Sequence, residues 1–342
     1  GEVIKVKFAL SSVSTKGAVN NLNAEIPHWD FEKTKKEAQD KWNKELSKIE
    51  IESIIEPDKE TFYTALYHTM LGPIIYEDVD RRYKGLDKNI HTSDGFTNYT
   101  IFSLWDTYRA LHPLFNIIQT ERNNDMIKSM LVHQDQSVHG MLPIWSHYAN
   151  ENWCMIGYHA TSVIADAIAK NVGDFNKTDA LEACIATSNV SYFDGIESYL
   201  KKGYVPEDVS GSSVSKTLEF AYNDWCIAQV SDELNNAHTT SEYLKRAESY
   251  RNVYDSKIGF ISPMTNNFCE SCNRVRMTAE GRLLLCLGNE NSMDLREVIR
   301  SHPGDSALLR AKIVEALKNK PERHEFDLNR TDIVRFMNMT GG

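Results

Sequence analysis

The feature that most constrains the fold is a long series of helical patterns between about residues 60 and 256. In TFYTALYHTML, Phe62, Leu66 and Met70 recur at helical spacing, and YHATSVIADAIAK, SVSKTLEFAYNDWCIAQV and TTSEYLKRAESYRNVY continue the series. Strands do not alternate with these helices, and no short fixed repeat recurs. The connecting loops, such as GFTNYTIFSLWDTYRALHP, are aromatic and polar. Helices joined by such loops predict an α-helical toroid with a concave site at one rim.

The residues around this series predict further elements. Residues 4–13, IKVKFALSSV, alternate with period two, which predicts a strand whose partner strands are missing from the chain. Residues 32–50 are charged and helical in pattern. The apolar positions that recur there, and that we expect to be buried, are Ala38, Trp42, Leu46 and Ile49. Farther along, Asn124 and Asp125 open the segment NDMIKSMLVHQ and are predicted helix caps.

A different pattern begins after residue 260. RVRMTAEGRLLLCL alternates around Glu280 and Gly281, which predicts a β-hairpin with its turn at that pair. SMDLREVIR and SALLRAKIVEALKNK are predicted to be amphipathic helices, and the tail RTDIVRFMNMTGG is predicted to be extended. The change of pattern indicates a second domain.

Length and charge narrow the possible classes of protein. The chain has 342 residues, enough for about two domains. Its net charge of −10 is uneven, since residues 1–260 hold 26 Lys and Arg against 37 Asp and Glu. An acidic surface repels phosphate backbones, so we expect no nucleic-acid partner. No apolar run is long enough to span a bilayer, so we expect no membrane partner. Because the first residue is Gly1 and not Met, we expect the natural start to be missing, and the lack of a signal peptide does not argue against export.

Three cysteines form a metal-ligand pattern. Cys269, Cys272 and Cys286 supply three soft thiolates. Three thiolates leave one iron of a four-iron cluster open to bind a substrate. A structural zinc site would need a fourth ligand, for which His302 and His324 are candidates that lie far along the chain.

Two arginines accompany these cysteines. Arg274 and Arg276 are two residues apart, on the same face of the predicted hairpin, where they could bind phosphates with two hydrogen bonds each. The alternative is a zinc ribbon with solvated arginines.

Scattered cysteines and histidines are predicted to be structural. Cys154, Cys184 and Cys226 stand among apolar or aromatic neighbours, which indicates small buried thiols. The histidines that we expect to be structural and not catalytic are His68, His91, His112, His147 and His159.

The end of the chain resembles a known family. GFISPMTNNFCESCNRVRMTAEGRLLLCL, DLREVIR, KPERHEF and the terminal GG resemble the C-terminal part of molybdenum cofactor biosynthesis protein A, a GTP 3',8-cyclase of the radical S-adenosylmethionine class. The resemblance covers about residues 258–342 and implies a 4Fe-4S cluster that binds GTP. The implied cluster ligands are Cys269, Cys272 and Cys286, and the implied GTP-binding residues are Arg274, Arg276, Gly341 and Gly342.

The chain departs from that family in one essential respect. The family requires a second cluster, held by a Cys-x3-Cys-x2-Cys motif in an N-terminal barrel, and this spacing does not occur here. Without that cluster nothing cleaves S-adenosylmethionine to form the radical. We therefore expect cluster binding and weak GTP binding, but no turnover.

Residues 1 to about 260 resemble glycoside hydrolase family 92, the calcium-dependent exo-acting α-mannosidases. The stretches that carry this resemblance include AEIPHWDFEKTKKEAQDKWNKEL, FYTALYHTMLGPIIYEDVDRRYKG, MLPIWSHYANENWCMIGYHA and GYVPEDVSGSSVSKTLEFAYNDWCIAQ. The family has an N-terminal β-sandwich followed by an (α/α)6 barrel. The resemblance implies that the initial strand is the end of the sandwich and that the helices are about half of the barrel.

Aromatic and acidic residues in the loops suit a sugar site. The candidates are Trp105, Asp106, Trp145, Trp153, Asp224 and Trp225. Asp106 is the preferred sugar-hydroxyl contact, because its Trp-Asp-Thr sequence lies in an aromatic loop and matches a sugar-binding motif of the family. Two alternatives stay open: Trp105 as a core aromatic, and Asp224 as a helix-face carboxylate bonded to a neighbour.

The catalytic groups of the family are expected to lie beyond this part of the chain. Inverting hydrolysis needs a general acid and a general base about 6.5 to 9.5 Å apart. In the family both carboxylates and the calcium ligands lie farther along the barrel, after the point equivalent to Phe260. The resemblance therefore gives this chain sugar-binding residues, but no acid, no base and no calcium ligand.

Together these observations predict a hybrid of two truncated proteins, joined near Ile258, Gly259 and Phe260. The expected fold is mainly α: the end of a β-sandwich (1–20), a partial (α/α)6 barrel (21–258), and a small α+β iron-sulfur module (259–342). The expected partners are a mannoside glycan for the first part and GTP for the second.

The expected function is that of an α-mannosidase fragment for α-1,2-linked mannosides, joined to a cyclase-type module and inactive as either enzyme. The alternatives are a cyclase-related iron-sulfur protein and a non-catalytic mannose-binding protein. A periplasmic or extracellular location is expected for the mannosidase part and a cytoplasmic one for the cyclase part.

Overall fold

A computed structural model of the chain describes residues 4–255, 260–261, 275–278, 281–285 and 292–320. The chain divides into two compact units, Gly1–Phe260 and Ile261–Gly342. The first unit is rich in helix, as the sequence predicted, and the described part of the second contains strands and two helices. No helix in the described ranges is long and apolar enough to cross a membrane.

The first unit contains most of the helices. They are α1 (Thr15–Glu25), α2 (Phe31–Leu46), α3 (Glu56–Thr69), α4 (Leu104–Thr107), α5 (Leu111–Ile118), α6 (Thr120–Gln136), α7 (Ala160–Ala169), α8 (Lys177–Ser188), α9 (Ile196–Lys202), α10 (Ser213–Glu233) and α11 (Ala237–Ala247), followed by a 3-10 turn (Glu248–Val253). Several begin at side chains that accept an N–H of the first turn, as helix caps do. These caps include Ser14, Asp30, Asn176 and Asn236.

Short strands connect the helices of the first unit. They are β1 (Ile74–Ile75), β2 (Arg82–Lys84), β3 (Ile90–Thr92), β4 (Tyr99–Thr100), β5 (Phe102–Ser103), β6 (Trp145–His147), β7 (Asn150–Glu151) and β8 (Tyr254–Asp255), and β9 (Phe260–Ile261) lies at the boundary. β1 pairs with β4, β2 with β3, and β6 with both β5 and β7, all antiparallel. The β5–β6 pairing places Ser103, two residues before Trp105, opposite Trp145.

Helix α10 is the centre of the first unit. It packs along α7 and α11 and also contacts α8. Phe220 and Ile227 are fully buried on it, while Ala221 and Ala228 are small enough to let neighbouring backbones approach. Helix α10 therefore connects α7 with α11, and these contacts fix the positions of its polar side chains.

Three predictions about the first unit are corrected. Residues 4–13 contain no strand, and Phe8 is 80 % exposed, because no described backbone pairs with this segment. Helix α2 has no buried residue, and the Ala38 of its apolar stripe is exposed, because α3 is its main packing partner among the described elements and leaves much of its surface open. Asn124 and Asp125 lie inside α6, which begins at Thr120 instead.

The second unit has a small core of its own. Its elements are β10 (Arg276–Met277), β11 (Arg282–Leu284), β12 (Ser292–Asp294), α12 (Leu295–Ser301) and α13 (Ser306–Lys318). β10 and β11 are antiparallel around Gly281 (φ 82°), which confirms the predicted hairpin. Leu283, Leu285 and Leu295 pack with Ala316 of α13. Residues 292–294 were predicted as helix but form β12, because Asp294 caps α12 at its first turn.

Candidate functional site

A polar cluster surrounds Glu219 on α10. The indole Nε1–H of Trp105 donates to Oε1 of Glu219 at 3.1 Å, and Nη2 of Arg109 lies 3.2 Å from the same oxygen. The Glu219 side chain is 17 % exposed, so it is screened from bulk water without being closed off. Helix α4 and the residues after it supply both donors. The cluster therefore joins the aromatic loop before α5 to the central helix.

The second carboxylate oxygen of Glu219 faces α7. Nε2 of His159 lies 3.0 Å from Oε2, and the Tyr108 hydroxyl lies 3.5 Å from it. The rings of Tyr108 and His159 are stacked almost parallel, with centroids 4.0 Å apart. His159 itself is buried at the start of α7. The two oxygens of this carboxylate thus contact groups from two other parts of the chain, residues 105–109 and the start of α7.

This environment keeps Glu219 ionised. Burial raises the pKa of Glu219, but His159, Trp105 and Arg109 more than offset it, and the pKa lies below its ordinary value. Burial lowers the pKa of His159 despite the nearby carboxylate, so the imidazole is neutral at pH 7. Glu219 is therefore an acceptor of hydrogen bonds, a role that suits contact with sugar hydroxyls.

Aromatic surfaces adjoin the carboxylate. The Arg109 guanidinium lies over Trp105, 4.5 Å from its ring centroid. One and two turns along α10 from Glu219, Tyr222 and Trp225 are 38 % and 47 % exposed. Apolar ring faces beside a charged acceptor match a sugar, which has C–H faces and a rim of hydroxyls.

The sequence-predicted sugar residues have different surroundings. Trp105 is in the Glu219 cluster, half-buried, and its indole N–H is bonded to a charged partner. Asp106, the next residue, is exposed and accepts a hydrogen bond from Ser103 Oγ at 2.5 Å. Trp145 is half-buried on β6, where its ring lies 5.7 Å from that of His147. Trp153 is 37 % exposed and lies 5.4 Å from the Phe193 ring.

Asp224 is enclosed by the core. It is 0 % exposed and accepts hydrogen bonds from the hydroxyls of Tyr158 (2.7 Å) and Tyr199 (2.8 Å). Arg246 also pairs with it. Such surroundings leave no room for a sugar, and they fit the alternative of a carboxylate bonded to its neighbours.

Sequence reasoning missed Glu219 and treated His159 as structural. Glu219 lies one turn before Tyr222 on α10, and this spacing of a carboxylate and an aromatic residue was the available signal. The cysteine predictions hold for Cys184 and Cys226, which are buried, but Cys154 is exposed and that prediction was wrong. Cys154 lies in the irregular segment that follows β7.

The predicted metal and GTP residues of the second unit are mostly beyond what the structure describes. Cys269, Cys272, Cys286, Arg274, Gly341 and Gly342 lie outside the described residues. Arg276 is in β10, and its side chain is not described. Within the described ranges no group of three or more His, Cys, Asp or Glu side chains is placed to hold a metal ion.

Comparison with known proteins identifies the first part. The model of the glycosyl hydrolase family 92 catalytic domain matches residues 17–281. The chain belongs to glycosyl hydrolase family 92. The resemblance inferred from the sequence is confirmed, although the family 92 match extends past Phe260, where the first compact unit ends.

Solved structures agree with the family 92 assignment. An alpha-mannosidase of this family from Bacteroides thetaiotaomicron, solved with mannoimidazole, is 49% identical with a TM-score of 0.71. The match covers 73% of this chain and 33% of that one. An inverting family 92 mannosidase of the same organism is 32% identical with a TM-score of 0.68, covering 73% and 35%. The family 92 chain thus spans about a third of the length of these mannosidases.

Another set of relatives shows the second resemblance. A GTP 3',8-cyclase of Pseudomonas aeruginosa is 62% identical over 88 residues, which are 25% of this chain and 27% of that protein. A GTP 3',8-cyclase of Saccharophagus degradans is 48% identical over 137 residues, 38% of this chain and 40% of that protein. Similarity to cyclases over a partial segment, beside a family 92 domain, confirms the predicted hybrid of two families.

Proposed function

We propose that residues 21–258 are a partial (α/α)6 barrel of an α-mannosidase that still binds a terminal mannose but does not hydrolyse it. The observation that carries this proposal is the Glu219 cluster, in which an ionised carboxylate lies beside the rings of Trp105 and Tyr108. The mannosidase relatives support mannose as the sugar. By the resemblance, the natural glycan is an α-1,2-linked mannoside.

The geometry explains how mannose would bind. Glu219 accepts hydrogen bonds from sugar hydroxyls in place of one of its present donors, and Arg109 donates to a hydroxyl oxygen. The aromatic faces cover the C–H face of the ring and exclude water from these bonds. Asp106, exposed beside Trp105, contributes a further acceptor at the edge. Trp145 is proposed as a second ring surface on the neighbouring strand.

The expected lack of hydrolysis follows from the chemistry. Inversion requires one protonated and one ionised carboxyl group on opposite sides of the sugar. The described contacts of the cluster include one carboxylate, Glu219, and its donors hold it ionised. A water attacking the sugar would therefore lack a proton donor at the leaving oxygen. Calcium is not assigned a role, because the described donor groups do not fit it.

Calorimetric titration of the full chain with methyl α-mannoside tests the binding. We expect saturable binding by the native chain and a loss of about tenfold or more in affinity for Glu219→Gln, because a charged acceptor is replaced. Glu182→Gln, a change of the same kind on α8, is the matched control and should bind as the native chain does. Equal affinity of the two variants would refute the assignment of the site.

A second function is proposed for residues 259–342. Three thiolates with one open position suit a 4Fe-4S cluster, and the identity to cyclases supports this choice over zinc. Cys269, Cys272 and Cys286 would hold the cluster, and Arg274, Arg276, Gly341 and Gly342 would contact GTP. Cyclisation is not expected, since the sequence has no Cys-x3-Cys-x2-Cys motif for a radical-forming cluster.

The two proposed parts call for different compartments. We propose a periplasmic or extracellular setting for the mannosidase part and a cytoplasmic one for the cyclase part. Fractionation of cells that express the chain, followed by immunoblotting, tests which of the two prevails.

A further inference from the structure

The surroundings of His159 determine which of its nitrogens carries the proton. Oδ1 of Asn223 accepts the backbone N–H of Tyr158 at 2.8 Å, so the Asn223 amide is oriented with its NH2 group on the other side. That Nδ2 lies 3.0 Å from Nδ1 of His159 and 3.0 Å from Oγ of Ser162. An amide NH2 can only donate. Nδ1 of His159 is therefore an acceptor.

The proton of the neutral imidazole consequently resides on Nε2. This nitrogen lies 3.0 Å from Oε2 of Glu219, close enough for electrostatic attraction although the contact lacks the alignment of a hydrogen bond. The ring cannot turn freely, because Tyr108 is stacked on it at 4.0 Å and its side chain is only 1 % exposed. The charged groups that face the imidazole are Glu219 and, at longer range, Arg109.

We propose that Asn223 and His159 are positioning residues for the sugar-binding carboxylate. Asn223 fixes the Nε2–H tautomer of His159, and the positive N–H edge of this ring attracts the Glu219 carboxylate and keeps it facing the aromatic surfaces. Neither residue contacts the sugar. The inference rests on the proposed mannose site for its ligand, but the tautomer and the state of Glu219 can be measured without any sugar.

The arrangement explains why two buried polar residues, Asn223 and His159, are tolerated in the centre of the unit. Asn223 is 0 % exposed on α10 and His159 is 1 % exposed on α7. A histidine of the other tautomer would place a lone pair against the Glu219 carboxylate, which is unfavourable. The Asn223 amide thus disfavours the Nδ1–H tautomer of His159, which would repel Glu219.

Nuclear magnetic resonance on the full chain with 15N-labelled histidine tests the first link. In the native chain we expect an unprotonated Nδ1 and a protonated Nε2 for His159 at neutral pH. Asn223→Asp substitutes an acceptor for the donor, so Nδ1 should become protonated. A protonated Nδ1 in the native chain, or an unchanged tautomer in Asn223→Asp, would overturn the proposal.

His159→Phe tests the second link, because it keeps a flat ring beneath Tyr108 and removes the N–H. We expect the pKa of Glu219, followed by 13C-glutamate resonances assigned with Glu219→Gln, to rise, and methyl α-mannoside affinity to fall about tenfold. Cys226→Ala is the control, since Sγ of Cys226 lies 3.7 Å from Ser162 Oγ but is not bonded to His159.

The outcomes separate this inference from the proposed function. If the native chain binds no methyl α-mannoside, the proposed function fails, while the histidine and glutamate measurements still decide the positioning role. If His159→Phe leaves both the Glu219 pKa and the affinity at the values of Cys226→Ala, the positioning role is refuted. If His159→Phe does not fold, the tautomer measurements on the native chain and Asn223→Asp decide.

Discussion

Asp224 and Arg246 form a two-pronged ion pair inside the first unit: Nη2 of Arg246 lies 2.9 Å from Oδ1 of Asp224, and Nε lies 3.0 Å from Oδ2. Arg246 is also bonded to the carbonyl of Ser188 at the end of α8. The pair therefore ties α10, α11 and α8 together. Both charges are removed from water, so the loss of either partner would leave the other buried and unpaired. Such a loss lowers the free energy of unfolding strongly.

Asp224→Asn should lower the free energy of unfolding by about 3–5 kcal/mol, because it leaves the Arg246 guanidinium buried without its counter-ion. All six tryptophans precede Phe260, so tryptophan fluorescence during urea unfolding reports on the first unit alone. Glu197→Gln removes one partner of the exposed Glu197–Lys201 pair and should leave the transition unchanged. Similar transitions for both variants would contradict a structural role for the buried pair.

Gly17→Ala should destabilise the first unit by about 1–3 kcal/mol through overpacking. A Cβ at this position would overlap Oδ2 of Asp78 and come within 2.7 Å of Ser11 Oγ. Those two groups are hydrogen-bonded to each other at 2.7 Å, and Asn21 also donates to Asp78. Gly211→Ala is the matched control, since nothing lies within 4 Å of its added Cβ. Thermal unfolding monitored by circular dichroism compares the two, and equal midpoints would count against the packing.

The two buried histidines His112 and His133 should make the fold sensitive to acid. Burial lowers the pKa of each to about 4, whereas an unfolded histidine titrates near 6.5. Between these values the unfolded chain binds more protons, so stability falls as pH decreases from about 6.5 to about 4. Each histidine contributes a slope of about 1.4 kcal/mol per pH unit at most.

His133→Leu checks this dependence in urea unfolding measured from pH 7 to pH 4.5. Nδ1 of His133 has no hydrogen-bond partner among the described groups, so a leucine replaces it without stranding a polar atom. The variant should lose stability less steeply with falling pH than the native chain. His238→Leu, on the first turn of α11, serves as the comparison. A native slope preserved in His133→Leu would refute the assignment.

Anaerobic reconstitution with iron and sulfide should give the chain the broad visible absorbance of a 4Fe-4S cluster. Cys269→Ser should remove most of it, because two thiolates do not hold the cluster. Cys154→Ser, which changes an exposed cysteine of the first unit, should leave it intact. Zinc bound in place of iron, or full absorbance in Cys269→Ser, would overturn the cluster assignment.

The helical nature of the chain and its two families were predictable from sequence, because both are carried by long local patterns. Helix α10 is one example: the segment SVSKTLEFAYNDWCIAQV predicts a helix, and α10 spans Ser213–Glu233. The hairpin around Gly281 was equally local, since a glycine with positive φ is a property of the turn itself. Features of this kind require no knowledge of distant partners.

The residues of the site were harder to predict, because their roles depend on contacts across the chain. Trp105 is 114 residues from Glu219 in sequence, and nothing local marks the pair. Asp224 is adjacent to the helix face that bears Trp225, yet three groups from other elements enclose it. Residues 4–13 are a case in which the local pattern misleads. Their alternation predicts a strand, but a strand also needs a partner backbone, and no described residue pairs with them.

The account's central claim is that the Glu219 site binds a mannoside without cleaving it, and one measurement tests it most directly. The full chain is titrated calorimetrically with α-1,2-mannobiose. The sugar in the calorimeter after the titration is then recovered and separated by chromatography. We predict saturable heat that is weakened in Glu219→Gln, with the disaccharide recovered intact. Free mannose that appears with the native chain and not with Glu219→Gln, or the absence of any binding heat, would contradict the claim.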